Sequence, residues 1–176
     1  MAGHSKWAQI KHKKAITDAK KSKIFSKLVR MLTVESKKAK GDRNAPGLRL
    51  AIEKAKQANM PGENIDRAVE KGRADTAAAL EEVLYEAYGP GGVALLITGL
   101  TDSRNRSAAE IKHLLSKHSV ALAAQGSASW TFTKTPEGLL PQTTVALSDT
   151  DLAALDSLVD ELENHDDVQE VFTNAA

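Results

Sequence analysis

The chain has 176 residues, 41% hydrophobic and 27% charged, which is the balance of a water-soluble globular protein. It has no cysteine, so disulfide frameworks, thiolate metal sites and cysteine nucleophiles are excluded. The formal net charge of +1 hides a split: through Ala74 there are 14 Lys and 5 Arg against 7 Asp/Glu, a net +12, and from Asp75 onward 5 Lys/Arg against 16 Asp/Glu, a net −11.

A basic half neutralises phosphates and releases their counterions, while an acidic half turns away from them. The first 17 residues carry Lys6, Lys11, Lys13 and Lys14 without a clean helical stripe, and read as a mobile arm with Trp7 and Ile10 as docking points. From Asp18 the spacing of Ile24, Phe25, Leu28, Leu32 and Ala39 predicts a long helix capped by Thr17 or Asp18. Lys20, Lys23, Lys27, Arg30 and Lys37 fall on one flank of it, away from the apolar stripe. The stretch 41–46 breaks the helix. A second helix follows over 47–59, and a third begins at Pro61 and stops at Gly72.

After an Ala-rich joint at 76–80 the pattern becomes mixed. Residues 82–88 and 93–100 read as strands joined by the turn Gly89-Pro90-Gly91-Gly92. Thr101-Asp102 caps a helix that buries Ala108, Ile111, Leu114 and Leu115. Residues 127–133 alternate, with Ala128, Trp130 and Phe132 on the core side, and 143–147 make another strand. Ser148 and Asp151 open a capping box for a helix over 149–164 that buries Leu152, Leu155, Leu158, Val159 and Leu162, and 168–173 closes as a strand. Leaving aside the strand at 82–88, the order is β-α-β-β-α-β. The fold class is therefore α+β: a basic three-helix unit over 1–76, then an acidic ferredoxin-like unit over 77–176 with one extra strand.

Two constellations carry chemistry. The lysine flank of the long helix is either a solvated face or a phosphate-binding face, and its scarcity of interleaved acids favours the second. Arg104 and Arg106 sit in the first turn of a helix, where the macrodipole favours anions. Either they hold a phosphate beside the Gly89–Gly92 turn, or they pair with acids of the last helix such as Glu161 or Glu163. Glu163, His165, Asp166 and Asp167 read as an exposed acidic helix end, so no metal or cofactor is expected, and no catalytic set can be assembled.

Several blocks resemble the YebC/PmpR family: Met1-Ala-Gly-His-Ser-Lys-Trp7 with Ile10-Lys-His12, Lys23-Ile-Phe25, Leu48-Arg-Leu-Ala-Ile52, Asn59-Met-Pro61, Tyr85–Gly92 and Thr101–Arg106. Pro141, Thr143-Thr-Val145 and Asp166-Asp-Val-Gln169 are similar to that family's last segment. The resemblance implies a cytoplasmic, non-enzymatic regulator of gene expression. It would be either a DNA-binding transcriptional regulator or a ribosome-associated factor that eases synthesis of proline-rich stretches, as related translational activators do. Family members carry a further lobe between the strands matching 127–133 and 143–147, where this chain has only Lys134–Gln142. Gly62 and Ala123 stand where the family commonly has Lys and Gly.

The partner expected from these readings is nucleic acid, DNA or ribosomal RNA, bound by a monomer without membrane or small-molecule substrate. A ferredoxin-like ligand-sensing or protein-interaction module is the alternative.

Overall fold

The structure, a computed structural model, describes residues 6–13, 17–75, 79–136 and 138–176, and leaves the side chains of His12 and Lys13 undescribed. Helices α1 (Lys6–Lys13), α2 (Asp18–Ala39), α3 (Pro46–Gln57) and α4 (Gly62–Arg73) come first. Strands β1 (Glu81–Tyr88) and β2 (Ala94–Thr101), helix α5 (Arg104–Lys117), strands β3 (Leu122–Ala123), β4 (Phe132–Thr135) and β5 (Gly138–Pro141), helix α6 (Asp149–Asn164) and strand β6 (Val168–Thr173) follow. The chain divides into two compact units, one of residues 16–81 and one in which residues 1–15 join 82–176.

In the helical unit Thr17 is the cap of α2, its hydroxyl accepting the Lys20 N–H at 3.3 Å. Leu28 and Leu32 of α2 pack on Leu48, Ala51, Ile52 and Ala55 of α3 and on Ile65, Ala68 and Val69 of α4. Gly72 was expected to stop α4, but it lies inside the helix at its crossing with α2. A Cβ there would stand 2.3 Å from the Thr33 carbonyl oxygen, so the glycine permits close backbone approach. Beside it the Ser36 hydroxyl donates to the Val69 carbonyl at 2.6 Å. The positive φ that ends α4 belongs to Asp75, at 53°.

The second unit is α+β, as the pattern predicts, but its strands are differently assigned. The four-stranded sheet has the order β3-β1-β2-β6. β3 runs antiparallel to β1, with Glu86 opposite Ala123, and β6 antiparallel to β2, with Leu96 opposite Phe172. This is the split β-α-β layout with one exchange: β1, the strand left aside, takes the central place that the sequence pattern gave to 143–147. The tight turn after Tyr88 makes β1 the immediate neighbour of β2, before any later segment exists to compete. Residues 143–147 retain a single parallel bridge, Val145 to Ala175.

α5 and α6 cover one sheet face, where Ile111, Leu115, Leu155, Leu158 and Leu162 meet Ala87, Leu95, Ile97 and Val171. The other face carries a smaller core of Ala94, Leu96, Ala128 and Phe132. Residues 127–133 are not a strand throughout: Ser129–Thr131 form a 3₁₀ turn, which swings Trp130 out to 64% exposure while Ala128 and Phe132 stay buried.

The cause is Glu86, only 2% exposed, whose carboxylate accepts the N–H groups of Gly126, Ala128 and Ser129 at 2.7, 2.8 and 2.9 Å. Three nearby N–H groups cannot converge on one carboxylate from an extended strand, where successive amides point to opposite sides. The Lys134–Gln142 connection, expected as a plain link, forms most of the separate hairpin β4–β5, with Thr135 opposite Gly138.

Candidate nucleic-acid interface

The sequence of α2 holds seven Lys/Arg against two acids. At 100° per residue Lys20, Lys23, Lys27, Arg30 and Lys37 share an arc of about 100°, opposite the side that Leu28 and Leu32 bury. Lys23 and Lys37 are exposed, while Lys20, Lys27 and Arg30 are half-buried. Lys37 pairs with Asp75 at 2.7 Å, and on neighbouring positions Lys38 pairs with Glu35 at 2.9 Å. These are solvent-exposed pairs, which a phosphate can replace at little cost.

The expected mobile arm is, over residues 6–13, the helix α1. Trp7 is buried in the core of the α+β unit and Ile10 packs against it, so both expected docking points are in contact, and the rest of the expected arm, residues 1–5 and 14–16, lies outside the described residues. Lys6 pairs with Asp149 at the start of α6, and Lys11 with Glu163 near its end at 2.7 Å. Lys11 also stands 5.7 Å above the Trp7 ring, a cation–π contact. The hydrogen bond from Lys6 holds the Asp149 carboxyl below its ordinary range. The Lys13 side chain and all of Lys14 lie outside the described residues.

At the start of α5 the cap is Ser103, whose hydroxyl accepts the Arg106 N–H, rather than Thr101-Asp102. Arg106 bonds the buried Asp167 at 2.7 Å and Asp102 at 2.9 Å, and its Nε lies 4.0 Å from Glu110. The bond to Asp167 raises the guanidinium further above its already high range. Arg104 donates to the Glu82 carbonyl at 3.2 Å. The two acids named as alternatives pair with other groups, Glu161 with Lys117 at 3.1 Å and the His118 ring at 3.4 Å, and Glu163 with Lys11.

A phosphate shared between this helix start and the Gly89–Gly92 turn is ruled out by position. The turn precedes β2 and α5 follows it, so the strand's whole length, roughly 25 Å, lies between them. The turn instead meets the start of α6, where a Cβ on Gly91 would touch Leu147 and Asp151.

Donor atoms of Glu110, His165 and Asp167 lie within 4.8 Å of one another, a spacing that a cation could bridge. The guanidinium of Arg106 already supplies that cation, which makes the group an ion-pair network around a buried aspartate.

What the fold defines is an α+β protein in which a lysine-rich helical unit precedes an acidic split-βαβ unit. The TACO1/YebC protein N-terminal domain matches residues 5–75, and the TACO1/YebC second and third domain matches residues 80–137 and 137–175. The chain belongs to the TACO1/YebC family.

A probable transcriptional regulatory protein from Petrotoga mobilis is 45% identical over 178 residues, covering 98% of this chain and 70% of that protein. One from Pseudothermotoga lettingae is 44% identical, covering 99% and 70%. A conserved hypothetical protein from Aquifex aeolicus, known as a crystal structure, superimposes with a TM-score of 0.82 at 32% identity, covering 98% of this chain and 97% of its own. The two matched segments of the second model meet at residue 137, which falls between β4 and β5 in the sequence. No described helix is long and apolar enough to cross a membrane.

Proposed function

We propose that this chain is a non-enzymatic regulator of gene expression that binds nucleic acid through the basic face of α2. The observation that carries the reading is the arc of Lys20, Lys23, Lys27, Arg30 and Lys37 on a helix with few acids. Such a face meets phosphates and positions the protein without reading bases, so shape and backbone dominate recognition. Structured ribosomal RNA and duplex DNA both present that backbone. The naming of relatives as probable transcriptional regulators supports DNA, while the absence of a helix rich in base-reading side chains from the sequence pattern supports structured RNA. The protein acts as a cytoplasmic monomer, on DNA or on the ribosome.

The test is a salt titration of binding to a labelled DNA duplex and a ribosomal RNA hairpin. With six phosphate contacts, affinity falls by about 10³ between 50 and 200 mM salt. A flat response refutes the reading. Crosslinking in cells, followed by sequencing of the recovered fragments, decides between promoter DNA and ribosomal RNA.

A further inference from the structure

Two of the lysines that suit phosphates are occupied inside the molecule. α1 has eight residues, too few to be a stable helix by itself, so its docking on α6 is what maintains it. That docking has two components: Trp7 in the core, and the pairs of Lys6 with Asp149 and Lys11 with Glu163 at opposite ends of α6. Both pairs are open to solvent, with the Lys6 and Asp149 side chains 59% and 85% exposed, so competing anions reach them directly. α1 is thus a cationic amphipathic helix held on an acidic one, and carboxylates occupy the sites that phosphates would take. In sequence it is joined by four residues to α2, the helix with the basic arc.

We infer that α1 is a releasable strap: a bound polyanion takes Lys6 and Lys11 from Asp149 and Glu163, and Trp7 leaves the core of the α+β unit. This inference rests on the nucleic-acid reading above. The acids of α6 then act as an internal competitor that weakens binding to short or sparse phosphate arrays. A dense phosphate backbone overcomes the competitor and gains the cations of α1 in addition to those of α2. Release also uncovers the apolar seat of Trp7, so nucleic-acid binding changes the surface of the acidic unit.

The experiment uses the full chain carrying Trp130→Phe, which leaves Trp7 as the one tryptophan. A labelled ribosomal RNA hairpin or DNA duplex is titrated at 50 mM salt. Polarisation of the label reports binding, and Trp7 emission with acrylamide quenching reports the strap. The expected result is a red shift of Trp7 and at least a twofold rise in quenching, with the same midpoint as polarisation. Polarisation that rises while Trp7 stays blue-shifted and protected overturns the strap and leaves the nucleic-acid reading intact. No change in polarisation overturns both.

A second pair of variants separates a competitor from a merely structural contact. Asp149→Asn with Glu163→Gln should raise quenching of Trp7 in the free protein and tighten nucleic-acid binding about three- to tenfold. Asp166→Asn with Glu170→Gln removes the same charge from two exposed positions of the acidic unit outside α6, and controls for general repulsion. Equal affinity gains in both pairs, or a loss in the first, overturn the inference.

Discussion

Replacing Glu86 by Gln removes one oxygen from an arrangement that uses both. Gly126 bonds Oε1, and Ala128 and Ser129 bond Oε2. In its better orientation the amide oxygen keeps Ala128 and Ser129, and the amide nitrogen faces the Gly126 N–H, donor against donor. An unsatisfied buried N–H costs about 1–3 kcal/mol, and the two surviving bonds lose charge assistance worth about 1 kcal/mol each. The sum is about 3–5 kcal/mol. At an m-value of about 2 kcal/mol/M in urea the midpoint of the α+β unit falls by roughly 1.5–2.5 M.

Acid sensitivity supplies an independent check. Burial is the largest influence on the Glu86 carboxyl and pushes it up, but the bonds from Gly126, Ala128 and Ser129 outweigh it together and leave the group below its ordinary value. A carboxylate lowered in the folded state contributes stability above its unfolded value of about 4.3, and that contribution is lost as pH falls through the lower folded value. Urea midpoints measured from pH 7 down to pH 3 should therefore fall more steeply in the native chain than in Glu86→Gln. A variant within 0.5 kcal/mol of the native chain, or one with an unchanged pH profile, would refute the account of Glu86 as the clamp of residues 126–129.

Changing Lys20, Lys23, Lys27 and Arg30 together to Gln should reduce the slope of log affinity against log salt by about 3–4 for duplex DNA, with an unchanged urea midpoint. An unchanged slope would remove α2 from the interface. Gly72→Ala should destabilise the helical unit by about 1–3 kcal/mol because its Cβ meets the Thr33 carbonyl, whereas Gly62→Ala, which meets nothing within 4 Å, should be neutral or stabilise by up to about 1 kcal/mol. Arg106→Gln should lower the thermal midpoint because buried Asp167 loses its cation, and Arg104→Gln should lower it less; the reverse order in calorimetry would contradict the ion-pair network.

The helical unit was legible in the sequence because its signals are local. The three- and four-residue spacing of Leu28 and Leu32, the cap at Thr17 and the proline before α4 each act within a turn or two. Glycines were less transparent, since one that ends a helix and one that admits a neighbouring backbone look the same in a pattern; only the Thr33 carbonyl distinguishes them at Gly72.

In the α+β unit, alternation at Ala128, Trp130 and Phe132 suggested a strand, but the carboxylate of Glu86, some forty residues earlier, sets that backbone. The buried Glu86 amid β1 was the available signal, because a buried carboxylate requires donors. The roles of Lys6, Lys11 and Arg106 depended on acids far along the chain, whose identity no local rule supplies.

The seating of α1 has a consequence for the order of events during synthesis. Lys11 and its partner Glu163 are separated by 152 positions. At about 5–20 residues per second a ribosome needs roughly 8–30 s to travel between them, far longer than helix formation requires. Until α6 is made, the acids that hold Lys6 and Lys11 and part of the core around Trp7 are missing, while residues 16–81 can already close their own core. A nascent chain therefore passes through a stage in which the basic helical unit is folded and the seat of the Trp7 segment is incomplete. Completion of α6 ends that stage, which makes the last described helix the element that withdraws the first.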